Sequence, residues 1–195
     1  MFLVMKMIFA TNNKNKLREL RQIFNNDKIK SLEEAGIFID VEETGKTAYE
    51  NALIKAKAIY KIAKEPVIAD DSGLVFDELK TWPGIYTHRI EEDAKKLDLT
   101  RNEYLIKKGK ELKNKKITAS CTLVYYDGKK IIRSTGKWHG TITDKEYPGN
   151  GFGFDSVFRM RDGRIASSLT PEEKNSLSHR YLASIKLKNK LNKIL

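Results

Sequence analysis

Apolar residues recur along this chain in short blocks whose spacing changes from one block to the next. Leu3–Ala10 is apolar except for Lys6 and reads as a buried first strand. Thr11-Asn12-Asn13 leads from it into a segment where Leu17, Leu20 and Phe24 stand at i, i+3 and i+7 with Ile23 beside them, which predicts a helix with one apolar face. Ile37–Val41 reads as a second strand. Thr47-Ala48-Tyr49-Glu50 has capping-box spacing and opens an alanine-rich helix to about Lys64, stopped by Pro66. Val67-Ile68-Ala69 reads as a short buried strand ending in Asp70-Asp71-Ser72-Gly73.

A charged helix is predicted around Ala94–Leu112. Beyond it Ile117, Ala119, Cys121, Leu123 and Tyr125 alternate with more polar residues, Asp127-Gly128 supplies a two-residue turn, and Lys130–Ser134 returns as a hairpin partner. Gly140–Thr143 reads as a further strand. Thr170-Pro171-Glu172-Glu173 repeats the capping box with proline at the first helical position, and the helix runs on with a break near Ser178. Helices alternate with strands and one hairpin is antiparallel, so the fold class is α/β with a mixed sheet.

At 195 residues and 40 % apolar content the chain suits one domain, and neither an internal repeat nor a low-complexity linker divides it. The lone Cys121 excludes an internal disulfide framework and a CxxC metal site, and a reducing compartment fits, so a cytoplasmic location is expected. His88, His139 and His179 are too scattered to suggest zinc. The apolar N-terminal run resembles a signal peptide, but Lys6 interrupts it and no small-residue cleavage site follows. It is also too short to cross a bilayer. Net charge is +11, from 37 basic and 26 acidic residues, with six lysines in Lys107–Lys116 and four in Lys186–Lys193. Base-reading proteins favour arginine forks or interleaved aromatics, and Lys107–Lys116 holds no aromatic, so a solvated helix end explains that run and nucleic acid is not the expected partner.

Four constellations carry candidate chemistry. Thr11-Asn12-Asn13-Lys14-Asn15-Lys16 joins a strand to a helix N-terminus, where free N–H groups, the helix dipole and lysine attract phosphate; an ordinary asparagine-rich cap fits the same residues. Glu42-Glu43 and Asp70-Asp71 follow apolar stretches and offer hard oxygens to Mg²⁺, although a plain turn would also explain Asp70-Asp71-Ser72-Gly73. Adjacent aspartates on an extended chain point to opposite sides, so one of the two is expected to face the cleft. Gly149–Asp155 brings three glycines in five residues together with Phe152 and Phe154, a loop able to approach a flat ligand or merely to turn a corner. Lys174 with Ser178-His179-Arg180 adds basic groups on the last helical segment. Together a phosphate turn, carboxylates, an aromatic loop and a basic helix suit one ligand, a nucleoside triphosphate.

The blocks Phe9-Ala10-Thr11-Asn12-Asn13-Lys14-Asn15-Lys16, Glu42-Glu43-Thr44-Gly45 with Glu50-Asn51-Ala52, Ala69-Asp70-Asp71-Ser72-Gly73-Leu74, Pro83-Gly84-Ile85-Tyr86, Gly151-Phe152-Gly153-Phe154-Asp155, and Leu169-Thr170 to Glu173-Lys174 with Ser178-His179-Arg180 occur in this order. In this the chain resembles the inosine triphosphate pyrophosphatase family nearly end to end. The resemblance implies an elongated α/β molecule with a mixed sheet flanked by helices, two lobes around a central nucleotide-binding cleft, and a homodimer. It implies hydrolysis of dITP, ITP and XTP to the monophosphate and pyrophosphate with Mg²⁺, or Mn²⁺ in its place, at Glu42 and Asp71. Asp71 would position or deprotonate the attacking water, Thr11, Asn13 and Lys16 would hold the triphosphate, and Ser72 would touch substrate. Phe152, Gly153, Phe154, Asp155, Lys174, His179 and Arg180 would build the base pocket and its phosphate edge. Asn12 stands where the family usually has glycine, and Trp82 where smaller residues are common. The rival readings are a pyrophosphatase for dUTP, UTP or modified pyrimidine nucleotides and, further off, a basic nucleic-acid-binding module.

Overall fold

The computed structural model describes residues 6–87 and 90–193. Among these residues seven strands form one mixed sheet: β1 (Met7–Phe9), β2 (Ile29–Lys30), β3 (Val67–Phe76), β4 (Pro83–Gly84), β5 (Lys116–Tyr126), β6 (Ile131–Ile142) and β7 (Phe158–Met160). Their order is β2-β1-β3-β5-β6-β7, with β4 added to β3 off this path. The β1 pairings to β2 and β3 are parallel and all others antiparallel, which makes the sheet mixed, as the alternation of elements predicts. Among the described residues six α-helices flank it: α1 (Lys14–Phe24), α2 (Ala48–Ala63), α3 (Ile90–Lys95), α4 (Arg101–Glu111), α5 (Pro171–Leu177) and α6 (His179–Leu191).

Several expectations change in the fold. Ile37–Val41 is not a strand: Ile37 is buried but Phe38 is 80 % exposed, and the place beside β1 is taken by Ile29–Lys30 instead. Val67-Ile68-Ala69 does not end at a turn. Leu74 and Phe76 continue the buried alternation, and all ten residues of β3 pair with β5, so Asp70-Asp71-Ser72-Gly73 lies in mid-strand. The helix expected over Ala94–Leu112 is two helices, separated by Asp98 at φ 56° and restarted by a capping box between Thr100 and Glu103. The expected segments Lys130–Ser134 and Gly140–Thr143 join, apart from Lys130 and Thr143 at their ends, in one twelve-residue strand, Ile131–Ile142. The hairpin turn spans four residues, not two, because Tyr126 pairs with Ile131 while Asp127 Oδ1 accepts from the N–H groups of Lys129 and Lys130. The first strand holds as Met7–Phe9, and residues 3–5 of its expected span, like His88, lie outside the described residues. The break at Ser178 holds: this residue ends α5 and caps α6 through its side chain.

The long strands divide the interior. On one face of β3 stand Ile68, Asp70, Ser72, Leu74 and Phe76. At one end of that face Ile68, Cys121, Leu123 and Tyr125 pack under Leu17, Leu20 and Phe24 of α1 and Ala183 and Leu187 of α6. At the other end Leu74, Phe76, Ala119 and Trp138 pack with Leu105 and Ile106 of α4. Asp70 and Ser72 occupy the polar gap between these two apolar clusters. The opposite face buries Val67, Ala69 and Val124 beneath Ala52, Ala56 and Ile59 of α2. Each large apolar side chain so covered contributes roughly 1.5–3 kcal/mol.

Helix α6 is brought close to the sheet by a glycine. A Cβ on Gly136 of β6 would stand 2.1 Å from the His179 carbonyl oxygen and 2.5 Å from the Ala183 nitrogen, so only glycine lets the start of α6 lie there. Lysines of the C-terminal run then serve backbone carbonyls. Lys186 donates to Thr135 O and Lys190 to Arg133 O on β6, and Lys188 to Phe24 O at the end of α1. That run is structural, which removes part of the motive for a nucleic-acid partner.

Candidate active site

Two spaces in the cleft meet at the start of α1. The first, about 380 Å³, is bordered by Thr11, Asn13, Lys16, Glu43, Lys55 and Asp70. The second, about 180 Å³, is bordered by Asn13, Lys16, Ser72, Phe152, Lys174 and His179, with Gly153, Phe154, Asp155 and Arg180 also in its wall. Asn13 and Lys16 belong to both. The phosphate turn, one aspartate, the aromatic loop and the basic helix thus come together from four distant stretches of sequence.

The start of α1 is capped by its own side chains. Asn13 Oδ1 accepts from the N–H groups of Asn15 and Lys16 at 3.0 and 3.2 Å, and Thr11 Oγ1 accepts from Asn13 N–H at 3.1 Å. Two of the N–H groups expected to be free for phosphate are therefore already engaged. Lys16 supplies the full charge, its Nζ 2.9 Å from Asp70 Oδ2. Asn12 keeps a negative φ, so this turn has no need of the left-handed geometry that glycine would permit.

The adjacent aspartates face opposite ways and meet opposite environments. Asp70 points toward α1 and α6, where Oδ2 accepts from Ser72 Oγ at 2.9 Å and lies 3.6 Å from Arg180. Burial alone would raise its pKa, but Lys16, Arg180 and Lys55 outweigh burial and hold it well below the usual carboxylate range. Asp71 points toward α2, where Asn51 Nδ2 donates to Oδ2 at 3.1 Å. Burial raises Asp71 to about 6, with Glu43 and Asp70 adding to the rise and Lys55 and Asn51 opposing it. The Asn51 side chain also accepts from Gly45 N–H at 2.8 Å, so one amide ties the Glu42-Glu43-Thr44-Gly45 segment to Asp71. Lys55, one turn further along α2, pairs with Glu43 at 2.6 Å, and its own pKa is raised because Asp70, Glu43 and Asp71 outweigh burial.

Glu42 is exposed and makes no hydrogen bond or ion pair among the described residues, while Glu43 beside it is held by Lys55. Glu50 closes the capping box of α2, accepting from Lys46 and Thr47 N–H, and is accounted for by that role.

In the second space Lys174 Nζ sits 2.5 Å from Asp155 Oδ2 and 3.0 Å from Glu19 Oε1. Arg180 reaches the other Glu19 oxygen at 2.5 Å and Ser72 Oγ at 3.3 Å. Asp155 also accepts from Phe152 N–H at 2.8 Å, which folds the glycine loop onto it; burial raises the Asp155 pKa against the pull of Lys174. Gly151 at φ 99° makes this fold possible, since a Cβ there would lie 2.5 Å from Asp155 Oδ2. Lys174 Nζ lies 4.2 Å from the centre of the Phe152 ring, whereas Phe154 packs against His179 and Phe158. His179 is buried against Trp138, and burial followed by the charges of Arg180, Lys174 and Lys16 holds its pKa far below the ordinary histidine value, so the ring is neutral.

Five of the six family blocks place at least one residue in the walls of these two spaces; Pro83-Gly84-Ile85-Tyr86 does not, and Glu42 and Asp71 border neither. A model of the Ham1 family matches residues 7–190. The chain belongs to the Ham1 family. A dITP/XTP pyrophosphatase of Borrelia duttonii is 40 % identical over 197 residues, covering 97 % of this chain and 98 % of the relative. Among solved structures, the Ham1 protein of Staphylococcus aureus superposes with a TM-score of 0.81 at 29 % identity, covering 97 % of this chain and 99 % of the other. A HAM1 protein from Coxiella burnetii superposes at 0.82 and 28 % identity with the same coverage. The Ham1 fold is thus shared from end to end.

Four residues of this Ham1 cleft were not singled out by the sequence reading. Glu19 was legible in principle: it is a charge on the apolar face of α1, three residues after Lys16 and four before Ile23, where an acid is buried only if paired. Asn51 and Lys55 share one face of α2 by their i, i+4 spacing. Arg101 carried no local signal, because only the tertiary fold brings α4 over the glycine loop.

Proposed function

We propose that this chain hydrolyses non-standard purine nucleoside triphosphates (dITP, ITP and XTP) to the monophosphate and pyrophosphate. The observation that carries the reading is the meeting of the two spaces at Asn13 and Lys16, so that one ligand with a polyanionic tail and a flat head spans both. The names of the relatives support the same chemistry. In this reading the triphosphate lies along Thr11, Asn13 and Lys16, with Ser72 touching the substrate. The base enters the slot made by Phe152, Gly153, Phe154, Asp155, Lys174, His179 and Arg180.

A divalent ion, Mg²⁺ or Mn²⁺, is part of the proposal. The donor set fits a hard cation: Asp71, whose Oδ2 alone is engaged by Asn51, and an exposed Glu42 without a hydrogen bond or ion pair among the described residues, whereas Asp70 faces the other side of β3. No three acidic, histidine or cysteine side chains converge on one point among the described residues. Mg²⁺ commonly takes one or two carboxylates and completes its shell with water and phosphate oxygens. Glu42 and Asp71 would hold the ion, which when bound neutralises phosphate charge and lowers the pKa of water.

Asp71 accepts the proton of the water that attacks between the α and β phosphorus. Without the ion, burial raises this carboxyl to about 6, so it is still ionised at neutral pH, and a bound cation would favour the ionised form further. Asn51 fixes the orientation of Asp71, while Lys16 and Lys55 offset charge that builds on the departing pyrophosphate. Neutral His179 and the Lys174 and Arg180 donors favour a 6-oxo purine over adenine, whose amino donor would leave buried groups unpaired at roughly 1–3 kcal/mol each.

No helix among the described residues is long and apolar enough to cross a membrane. A cytoplasmic location and a homodimer belong to the proposal, the latter checked by sedimentation velocity. The activity itself is tested by pyrophosphate release from ITP, dITP, XTP, GTP, ATP and UTP with and without Mg²⁺. Turnover of ITP or XTP far above UTP supports the reading, and UTP preference favours the pyrimidine alternative.

A further inference from the structure

Arg101 opens α4, and none of the chemistry above uses it. Its side chain is 18 % exposed and borders the aromatic half of the cleft with Phe152, Gly153 and Lys174. A Cβ on Gly153 would lie 3.9 Å from Arg101 Nη2, so the guanidinium reaches to the glycine loop. The backbone around it is fixed twice. Thr100 and Glu103 close a capping box around the first turn, and Asn102 Nδ2 donates to Gly153 O at 3.0 Å and to Ser156 Oγ at 3.1 Å. Helix α4 is therefore pinned to the loop that carries Phe152 and Phe154.

Its charge is also the least compensated of the cations in this half of the cleft. Lys174 is held by Asp155 and Glu19, Arg180 by Glu19 and Asp70, and Lys16 by Asp70. Arg101 meets one acid, the exposed Glu91, at 3.4 Å through Nη1, and its Nε is buried with no hydrogen-bond partner among the described residues. A buried donor without an acceptor is unfavourable until a ligand brings one. Hypoxanthine and xanthine differ only at the 2-position, where xanthine carries a second oxo group that also makes its ring acidic near neutrality. Guanine carries an amino donor there. A guanidinium suits the oxo acceptor and the anionic ring, and opposes the amino group.

We propose that Arg101 is a specificity-determining residue that contacts the 2-position of the bound base, favouring xanthine and disfavouring guanine. This rests on the nucleotide reading above. The test compares kcat and KM for XTP, ITP and GTP in the wild type, Arg101→Ala and Arg101→Lys, with thermal melts to confirm folding. Arg101→Ala is expected to lower kcat/KM for XTP about tenfold through KM, as loss of a base-reading arginine contact does, to change ITP less than about threefold, and to raise GTP relative to XTP. Arg101→Lys keeps the charge without the fork and falls between. An active wild type whose XTP/ITP ratio is unchanged in both variants overturns the assignment of Arg101 alone. A wild type that hydrolyses none of the three overturns the nucleotide reading and this assignment with it.

Discussion

Asp70 and Asp71 are neighbours on β3, and their carboxylates are driven in opposite directions. Asp70 is held ionised by Lys16 and Arg180 on one face of the sheet, whereas Asp71 is raised to about 6 by burial on the other. One strand thus supplies a fixed anion that braces two cations and a second carboxyl poised to take a proton.

For Asp71 the cost is visible in stability. Its pKa rises from 3.8 to about 6, so the folded state holds a proton that the unfolded state releases between these values. Stability from this group is therefore full below the unfolded value, falls across that window and is lost above about pH 6. Without divalent ions, Asp71→Asn is expected to melt higher than the wild type at about pH 8, by up to about 3 kcal/mol, and to match it at about pH 4. The same variant loses at least ~10²-fold in kcat. Denaturant melts at the two pH values and an activity assay check both.

Asp70 behaves in the reverse sense. A carboxyl held below its unfolded pKa stabilises the fold above that value and loses the contribution as pH falls. Asp70→Asn leaves Lys16 and Arg180 with less compensation, and breaking a buried pair costs about 3–5 kcal/mol. The expected result in urea melts at neutral pH is a large loss of stability that narrows in acid.

Asn51→Leu removes the amide that joins Gly45 to Asp71. Hydrogen bonds to charged groups contribute about 1.5–3 kcal/mol, so kcat should fall by roughly one to two decades while KM for the nucleotide changes little. An equal rise in KM would place Asn51 in substrate binding instead.

Gly136→Ala puts a methyl group against the backbone of His179 and Ala183. Overpacking of this kind costs about 1–3 kcal/mol. Because His179 and Arg180 ride on the displaced helix, nucleotide affinity, read by calorimetry, should weaken along with stability.

Much of this was legible in the chain before folding. The capping boxes at Thr47 and Thr170 and the cap break at Ser178 are local chemistry, and they sit where the spacing placed them. Long-range pairing was not legible. Asp70-Asp71-Ser72-Gly73 has the composition of a turn, and only the ten residues of β5 paired alongside hold it extended. Ile37–Val41 has the composition of a strand, yet the edge of β1 is filled by two residues that show no strand pattern of their own. Motif order alone pointed Thr11, Lys16, Phe152, Lys174 and Arg180 toward one ligand, and the fold sets them around two spaces that meet at Asn13 and Lys16. Of the side chains that brace them, Glu19 is marked by the apolar face of α1, whereas the tie from Asn51 to Gly45 and Asp71 emerges only from packing.

The most direct test of the shared cleft is the identity of the products. Phosphorus NMR of ITP turnover by the wild-type chain with Mg²⁺ should show IMP and pyrophosphate appearing together, with Asp71→Asn nearly silent. IDP with inorganic phosphate, or an Asp71→Asn variant as active as the wild type, would contradict the account.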